Sequence, residues 1–484
     1  MRSIHKISIP FFFIGLLLQT ACSKDFLEIE AKGSRIAKTT LDYEQLMNAV
    51  ALQVLYAPSL YLGDEMAAQQ SYMDAAAIRS QRLFRYEDRV YDEDQLPSET
   101  WHLTSIYTFN KVINEVMQSQ GGTDQQKKAI LAQAKVGRAL CYLYFLNDYS
   151  LPYNAATAAT DPGVPLLTKA DVTQSSFVRA SVQESYDFIL KDLADALPDL
   201  EPLTHRRKFS RVAAELLLAR VYLYMAKFNE SRTHVDAGFA ELGKATIPLE
   251  LYDYNIVLDE NNIDSWFPDF GFGLSNFPLA ANNTEVMYNL SMINFQFQQA
   301  NTYVFSPETA ALYDPMDYRL LLFSETEMFD PGIIFPGGMR RYSAALFSGL
   351  QVGPSLPDLY LMRAELKARA GDLTGAKSDL EVLRAKRMPA NIVAVPVNTA
   401  SNKEALVRFI LDERIREFAT SGMRWMDMRR LSVDPVYSNT VKYTHKLYDD
   451  AGNVVATYTL KPERFALKFG ERMLAENKGL TENK

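Results

Sequence analysis

The feature that most restricts the fold of this chain is a pattern of small and large apolar residues that occurs in two distant segments. Residues 211–227 mix alanines with Leu, Val and Tyr, and residues 359–370 and 373–386 form a similar unit around Gly371-Asp372. Small residues at helical spacing let two helices approach closely, as they do in helical-hairpin repeats. The chain is therefore predicted to be mainly α-helical, with several tetratricopeptide-like hairpins.

Further helices are predicted from periodicity and capping signals. Residues 125–148 carry a buried-type apolar stripe at three-, four- and seven-residue spacings. Ser181 precedes Glu184 by three residues, a capping-box pattern that opens a helix. Helical periodicity fades between residues 245 and 355, where Pro, Gly and Asn become more frequent. This part is predicted to be irregular, with short strands and loops.

These patterns divide the chain into a leader and three regions of one compact body. We predict a signal peptide at 1–21, a helical region at 22–244, the irregular subregion at 245–355 and a helical repeat with a tail at 356–484.

Composition excludes several classes of protein. The 484 residues carry a formal charge of −8 and show no cluster of Lys and Arg, which argues against nucleic-acid binding. Two cysteines cannot form a disulfide framework or a cysteine-based zinc site, and the five histidines never stand in an H-x-x-x-H pair. We expect no metal site and no cofactor.

The N-terminal segment indicates export and lipidation. Basic Arg2 and Lys6 precede a largely apolar run from Ile7 to Leu18, which is too short to cross a bilayer. Small residues then lead directly into Cys22, an arrangement that resembles a bacterial lipobox. Cys22 is therefore predicted to be lipidated and to become the mature N-terminus, which anchors the protein to a membrane.

The irregular subregion contains the first candidate ligand site. Between Tyr252 and Phe305 lie twelve aromatic residues, nine Asn and six acidic residues, with no Lys or Arg. Rings stack on the C–H faces of sugars, and amides and carboxylates bind hydroxyls, so the segment suits a glycan. The alternative is that these rings pack in the core. The candidate ligand-binding residues here are Trp266, which is the first choice, Tyr254, Phe270 and Asn276.

Motifs in a fixed order along almost the whole chain resemble the SusD/RagB family of outer-membrane nutrient-binding lipoproteins of the Bacteroidota. The most specific is Ile410-Leu-Asp-Glu-Arg-Ile-Arg-Glu-Phe, followed by Gly422-Met-Arg-Trp-Met-Asp-Met-Arg-Arg. The other matching stretches are Cys22-Ser-Lys-Asp-Phe-Leu-Glu, Trp101 to Asn110, Arg138 to Tyr149, Leu312 to Arg319, and Leu361 to Arg387.

The resemblance implies a SusD-like fold and a role in nutrient uptake. A protein of this family captures an oligosaccharide and delivers it to a SusC-like TonB-dependent transporter in the outer membrane, without breaking a bond. The resemblance also makes Tyr72, Arg79 and Tyr86 second-choice ligand residues, because the loop after the first helix contributes to binding in the family.

Three alternatives remain open at this point. The first is a peptide ligand, as in the RagB branch, and the second is a tetratricopeptide scaffold that binds only proteins. A lipid-anchored hydrolase is the third alternative, but the sequence has no G-x-S-x-G motif and no ordered nucleophile constellation.

Charged residues near the C-terminus allow two interpretations. Carboxylates at such spacing are compatible with acid–base catalysis. Each of them, however, has an arginine close by in sequence, which favours a structural ion-pair network. The residues assigned to that network are Glu413, Arg414, Glu417, Arg424 and Asp427.

Overall fold

The structure is a computed structural model in full atomic detail. It describes residues 37–55, 58–95, 101–259, 261–262, 265–266, 277–278, 281–292, 301–344 and 350–484. The predicted signal peptide and Cys22 lie outside these residues.

Helices dominate the described part of the chain. In chain order they are α1 (Thr40–Met47), α2 (Gln70–Ala75), α3 (Ile78–Phe84), α4 (Trp101–Glu115), α5 (Asp124–Tyr149), α6 (Val182–Ala196), α7 (Arg211–Tyr224), α8 (Phe228–Leu242), α9 (Tyr254–Val257), α10 (Pro307–Ala310), α11 (Leu356–Ala370), α12 (Leu373–Arg384), α13 (Val397–Ala400), α14 (Lys403–Phe418), α15 (Met423–Ser432) and α16 (Glu471–Glu476).

The strands are few and short. They are β1 (Met66–Gln69), β2 (Pro162–Pro165), β3 (Arg179–Ser181), β4 (Ser291–Met292), β5 (Val304–Phe305), β6 (Phe323–Ser324), β7 (Arg341–Tyr342), β8 (Leu350–Gln351), β9 (Thr444–Tyr448) and β10 (Val454–Thr459).

Consecutive long helices pack in pairs, α4 with α5, α7 with α8, and α11 with α12. At the turn between α11 and α12, Gly371 adopts a left-handed conformation (φ 93°) and Asp372 caps the next helix. The buried alanines Ala219, Ala364 and Ala376 are fully inaccessible, which fits the close approach expected of such pairs. The predicted mainly α-helical fold with tetratricopeptide-like hairpins is confirmed.

One four-stranded sheet brings distant parts of the chain together in the order β10-β9-β1-β5. Strand β1 runs parallel to β9 and antiparallel to β5. The sheet therefore joins the N-terminal helical region, the irregular subregion and a C-terminal hairpin. The division of the body at residues 244 and 355 stays a prediction.

Buried ion pairs tie the irregular subregion to the C-terminal helices. Arg319 binds Glu413 at 2.6 Å and Glu417 at 3.0 Å, both on α14. Arg387 binds Glu417 at 2.8 Å and Glu285 at 2.7 Å. The remaining members of this cluster, which we call the Glu413 cluster, are Asp317, Arg384 and Arg416. Its four guanidinium groups thus face four carboxylates.

A second group of ion pairs, the Asp358 cluster, joins α7, α11, α14 and α15. Asp358 accepts hydrogen bonds from Arg220 at 2.8 Å and from Arg414 at 2.7 Å. Asp427 is 2.7 Å from both Arg414 and Arg430. The remaining members are Glu365, Arg369 and Asp434. Four guanidinium groups and four carboxylates are again present, so the buried charge balances.

Neighbouring guanidinium groups lower the pKa of two carboxyl groups in these clusters, Glu413 and Glu365. Burial raises the pKa of Glu413, but the guanidinium groups of Arg319, Arg416 and Arg384 outweigh burial and hold the pKa well below its usual range. For Glu365, burial is likewise outweighed by the nearby arginines, and the pKa falls to about 2. A separate buried ion pair joins Arg424 to Asp64. It is bidentate, with N–O distances of 2.6 and 2.9 Å, and it connects α15 to the segment before β1.

One buried carboxyl group has a different environment. Neither oxygen of Glu65 accepts a well-formed hydrogen bond from the described residues. Burial, and then the negative charge of Asp64, raise the pKa of Glu65 to about 7. The backbone carbonyl of Glu65 accepts hydrogen bonds from Ser306 and Thr309 at 2.8 Å, which places this side chain at the junction of β1 and β5.

We predict that Asp358→Asn destabilises the protein by about 3–5 kcal/mol, because the substitution leaves buried guanidinium charge without its counter-charge. The free energy of unfolding is measured by urea denaturation. The control is Asp195→Asn on the exposed face of α6, where Lys191 lies 2.7 Å from Asp195, and a cost below about 1 kcal/mol is expected. Equal costs for the two variants would contradict the assigned role of the cluster.

We also predict that Glu65→Gln changes the pH dependence of stability. The native state retains the Glu65 proton up to about pH 7, whereas the unfolded chain releases it near the ordinary glutamate value, so rising pH favours unfolding of the wild type. Between pH 4 and pH 8 the variant should gain about 3 kcal/mol relative to the wild type. Exposed Glu404→Gln should follow the wild type, and a pH-independent difference for Glu65→Gln would contradict the prediction.

Candidate functional site

Trp266, the first-choice ligand residue, is 5% exposed. Its ring makes edge-to-face contacts with Tyr252, Tyr254 and Phe277, with centroids 4.7–5.7 Å apart. Such contacts are typical of a packed aromatic cluster. The Trp266 ring is therefore buried in this structure and does not form the exposed platform that the sequence suggests. A contribution of this residue to ligand binding stays a prediction.

Three other candidates also point inward. Tyr254 is buried in the same cluster, and the guanidinium group of Arg387 lies 4.3 Å from its ring centroid. Tyr86 is buried, and its hydroxyl donates to the carbonyl of Leu62 at 3.0 Å. Arg79 is half-buried with its guanidinium 5.9 Å from the centre of the Tyr91 ring. Their side chains pack within the body in this structure because each has protein partners there.

Phe270 and Asn276 lie outside the described residues, as do most of the residues between 263 and 280.

Tyr72 is partly accessible in this structure. It lies on α2, which begins directly after β1, and its side chain is half-buried. The ring packs edge-to-face against Phe335, with centroids 6.2 Å apart. Since β1 is an inner strand of the four-stranded sheet, the position of Tyr72 is fixed by the pairing of β1 with β5 and β9.

A short hairpin at residues 326–334 lies beside Tyr72. Thr326 pairs with Ile334, and the amide of Glu327 donates to the carbonyl of Ile333 at 3.0 Å. Phe329 near the tip is 70% exposed and Ile334 is 65% exposed. Exposed large apolar side chains in one patch commonly mark a site of interaction.

Acidic groups surround the Tyr72 hydroxyl. Burial, followed by the charges of Glu327, Asp450 and Asp330, raises the pKa of Tyr72. Asp450 also accepts a hydrogen bond from Ser71 at 2.9 Å, and Glu327 accepts one from Asn301 at 3.1 Å. We define the Tyr72 surface by Tyr72, Glu327, Phe329, Asp330, Ile333, Ile334 and Asp450.

The Tyr72 surface combines rings with hydrogen-bond acceptors. A ring face takes up the C–H groups of a sugar, and carboxylate oxygens accept hydrogen bonds from its hydroxyls. Sequence reasoning identified Tyr72 but missed Phe329. The sequence signal for an exposed Phe329 is the segment Met328-Phe-Asp-Pro-Gly-Ile-Ile334. Its large apolar residues flank a Pro-Gly turn, and turns of this kind place their neighbours at the surface.

A small cavity lies next to the Glu413 cluster. It is lined by Tyr254, Phe277, Tyr342 and Gln351 together with Arg319, and its volume is about 120 Å³. Pockets for small ligands usually have at least about 300 Å³. This cavity is therefore too small for an oligosaccharide.

Within the described residues, no group of three or more His, Cys, Asp or Glu side chains is arranged to hold a metal ion. In that same part of the chain, no helix combines the length and apolar character needed to cross a membrane.

Two family models match the chain in order. One, described as "Starch-binding associating with outer membrane", matches residues 25–223, and the second, described as "SusD family", matches residues 356–473. Together they cover about two thirds of the sequence and include most of the predicted motifs.

Two curated sequences of SusD-like proteins are similar to this chain. A SusD-like protein of Formosa agariphila is 23% identical over 55% of the chain, and one of Bacteroides ovatus is 24% identical over 50%. The alignments span 62% and 44% of those proteins' own lengths.

Solved structures share the fold. A putative sugar binding protein of Bacteroides vulgatus has a TM-score of 0.67 at 19% identity over 93% of this chain and 99% of its own. The surface glycan-binding protein A of Bacteroides uniformis has a TM-score of 0.62 at 14% identity over 92% and 99%. With both family models matched in sequence order, the chain belongs to the SusD/RagB family.

Proposed function

We propose that this protein is a nutrient-binding lipoprotein that captures an oligosaccharide on the Tyr72 surface and delivers it to a SusC-like TonB-dependent transporter. Membership of the SusD/RagB family supports a nutrient-binding role. The observation that carries the choice of surface is the half-buried Tyr72 ring, which feels the charges of Glu327 and Asp330 from the same hairpin that exposes Phe329, and the charge of Asp450.

Binding on this surface requires no bond to be broken. The ring of Phe329 and the accessible part of Tyr72 stack on the apolar faces of a sugar, while Asp330 and Asp450 accept hydrogen bonds from its hydroxyls. The acidic residues that resemble an acid–base pair in sequence, Glu413 and Glu417, are instead buried against arginines. Their pairing supports a protein that binds its ligand and does not hydrolyse it.

The charge of the Tyr72 surface restricts the ligand. Three carboxylates lie close enough to raise the pKa of Tyr72, and nearby Arg340 is paired with Glu325. An anionic ligand would face unfavourable charge at this position. A neutral glycan is the class that the surface fits best.

A peptide ligand is the second candidate. Phe329, Ile333 and Ile334 offer an exposed apolar face of the kind that binds peptide side chains, and the adjacent carboxylates suit a Lys or Arg. Calorimetric titration against neutral oligosaccharides and against a mixture of basic peptides distinguishes the two ligand classes.

Attachment to the outer membrane through a lipid on Cys22 is part of the proposal. The matched family description names an association with that membrane, and the lipobox-like residues before Cys22 supply the attachment point. A surface-exposed orientation would place the Tyr72 surface where it can meet extracellular glycans.

We predict that Tyr72→Ala and Phe329→Ala each weaken oligosaccharide binding by at least tenfold, which corresponds to about 1.4 kcal/mol. Aromatic anchors at the centre of an interface commonly contribute this much or more. Dissociation constants are measured by isothermal titration calorimetry. The control is Val397→Ala on α13, an exposed side chain outside the Tyr72 surface. Unchanged affinity in both folded aromatic variants would contradict the assignment.

We predict that Trp266→Ala lowers the free energy of unfolding by about 3–5 kcal/mol, because it opens a cavity in the aromatic cluster. Thermal and urea denaturation measure the loss. The same purified variant is titrated with oligosaccharide below its melting temperature. A stable variant with weakened binding would instead show that Trp266 is a ligand platform.

A further inference from the structure

A cavity lies at the base of the β9–β10 hairpin, where the chain enters β9 and leaves β10. Its volume is about 420 Å³, which lies within the range of roughly 300–1,000 Å³ that is typical of ligand pockets. Rings and other apolar side chains form most of its lining, among them Leu151, Pro152, Tyr443, Leu460, Pro462 and Phe465. We call it the hairpin-base cavity.

Three polar side chains that line the cavity come from one segment of the chain. Asn154, Thr157 and Asp161 all lie between α5 and β2. The hydroxyl of Thr157 donates to Oδ2 of Asp161 at 2.6 Å, and among the described residues no hydrogen bond reaches Oδ1. The side-chain oxygen of Asn154 accepts from the amide of Ala156 at 3.0 Å, which leaves the NH₂ group of Asn154 to donate. The cavity therefore offers an acceptor and a donor beside an apolar wall.

Tyr443 on the cavity wall has an unusual backbone conformation. Its φ is 55°, in the left-handed region that bulky residues rarely occupy. The amide of Lys442 donates to Asp64 at 2.8 Å, and the amide of Leu460 donates to the carbonyl of Tyr443 at 2.8 Å, so neighbouring contacts hold this conformation. The half-buried Tyr443 ring lies edge-to-face to Phe465, with centroids 6.3 Å apart. Strained residues that are held in this way cluster at binding sites.

We propose that the hairpin-base cavity is a second binding site for a neutral glycan. The accessible part of the Tyr443 ring takes up the C–H face of a sugar, while Asp161 accepts and Asn154 donates hydrogen bonds to its hydroxyls. The described residues that line the cavity include one carboxylate and no Lys, Arg or His, so an anionic ligand would find no counter-charge. The choice of a glycan rests on the proposed function, whereas the cavity is separate from the Tyr72 surface.

The two sites lie at opposite ends of one hairpin. Asp450 of the Tyr72 surface belongs to the turn after β9, whereas Tyr443 directly precedes β9. Because β9 is extended, the six residues from Tyr443 to Asp449 span about 20 Å. A sugar at one end leaves the other end open, so both sites can be occupied at the same time.

Amide hydrogen exchange of the full chain tests the proposal, with maltohexaose, cellohexaose, xylohexaose and mannohexaose as separate probes. At a probe concentration about ten times the dissociation constant, amides that exchange only from the free protein should exchange about tenfold more slowly. We expect this protection at residues 151–161 and 438–443 with at least one probe. The same protection should persist in Tyr72→Ala/Phe329→Ala, which lacks the two rings of the Tyr72 surface.

Two further variants alter the cavity itself. Thr157→Trp fills it from an exposed position, and Tyr443→Asn removes the ring but keeps a residue that tolerates the left-handed conformation. Each should weaken binding at the cavity by at least about tenfold, measured by calorimetry in the Tyr72→Ala/Phe329→Ala background. The matched control is Thr233→Trp, at an exposed position on α8 that does not line the cavity, and it should leave binding unchanged.

The outcomes separate the second site from the Tyr72 surface. The proposal is overturned if none of the four probes protects residues 151–161 and 438–443, or if Thr157→Trp and Thr233→Trp change binding equally. Protection of the cavity alone supports the second site and contradicts the assignment of the Tyr72 surface. Protection of the Tyr72 surface alone supports that assignment and overturns the second site.

Discussion

The architecture depends on buried arginine–carboxylate pairs whose charges balance. Buried charges are costly unless each one has a partner. Each of the two clusters, the Glu413 cluster and the Asp358 cluster, contains four guanidinium groups and four carboxylates. The partners come from distant segments, as in Arg220 with Asp358 and Arg387 with Glu285. Only the correct arrangement of helices satisfies all of them at once, so the pairs select one packing of the repeats.

The same pairs position the candidate binding surface. Arg424 on α15 holds Asp64, and β1 begins two residues later and pairs with β9 and β5. Tyr72 lies on α2, directly after β1, so its position is fixed by the contacts that hold Asp64 and β1 against the helical body. The hairpin that carries Phe329 lies in the irregular subregion, which Arg319 attaches to α14. A binding surface made of short elements thus rests on a rigid helical support.

The helices were predictable, whereas the exposure of individual rings was not. The Ser181–Glu184 capping box and the Gly371-Asp372 turn act locally, and both are present in the structure. Trp266 shows what the sequence could not predict. A segment rich in aromatic residues and without Lys or Arg is compatible with an exposed glycan platform and equally with a packed aromatic cluster. Its burial depends on Tyr252 and Tyr254 and on their placement beside Arg387, which no local pattern encodes. Phe329 was missed because its exposure arises from a turn between short strands.

The central claim is that an oligosaccharide binds across Tyr72 and the 326–334 hairpin. Amide hydrogen exchange of the wild-type protein, measured with and without a saturating neutral oligosaccharide, tests this claim most directly. We expect ligand-dependent protection at residues 70–75 and 326–334, with no change in the buried helix α14. Protection confined to residues outside the Tyr72 surface, such as those around Trp266, would contradict the account.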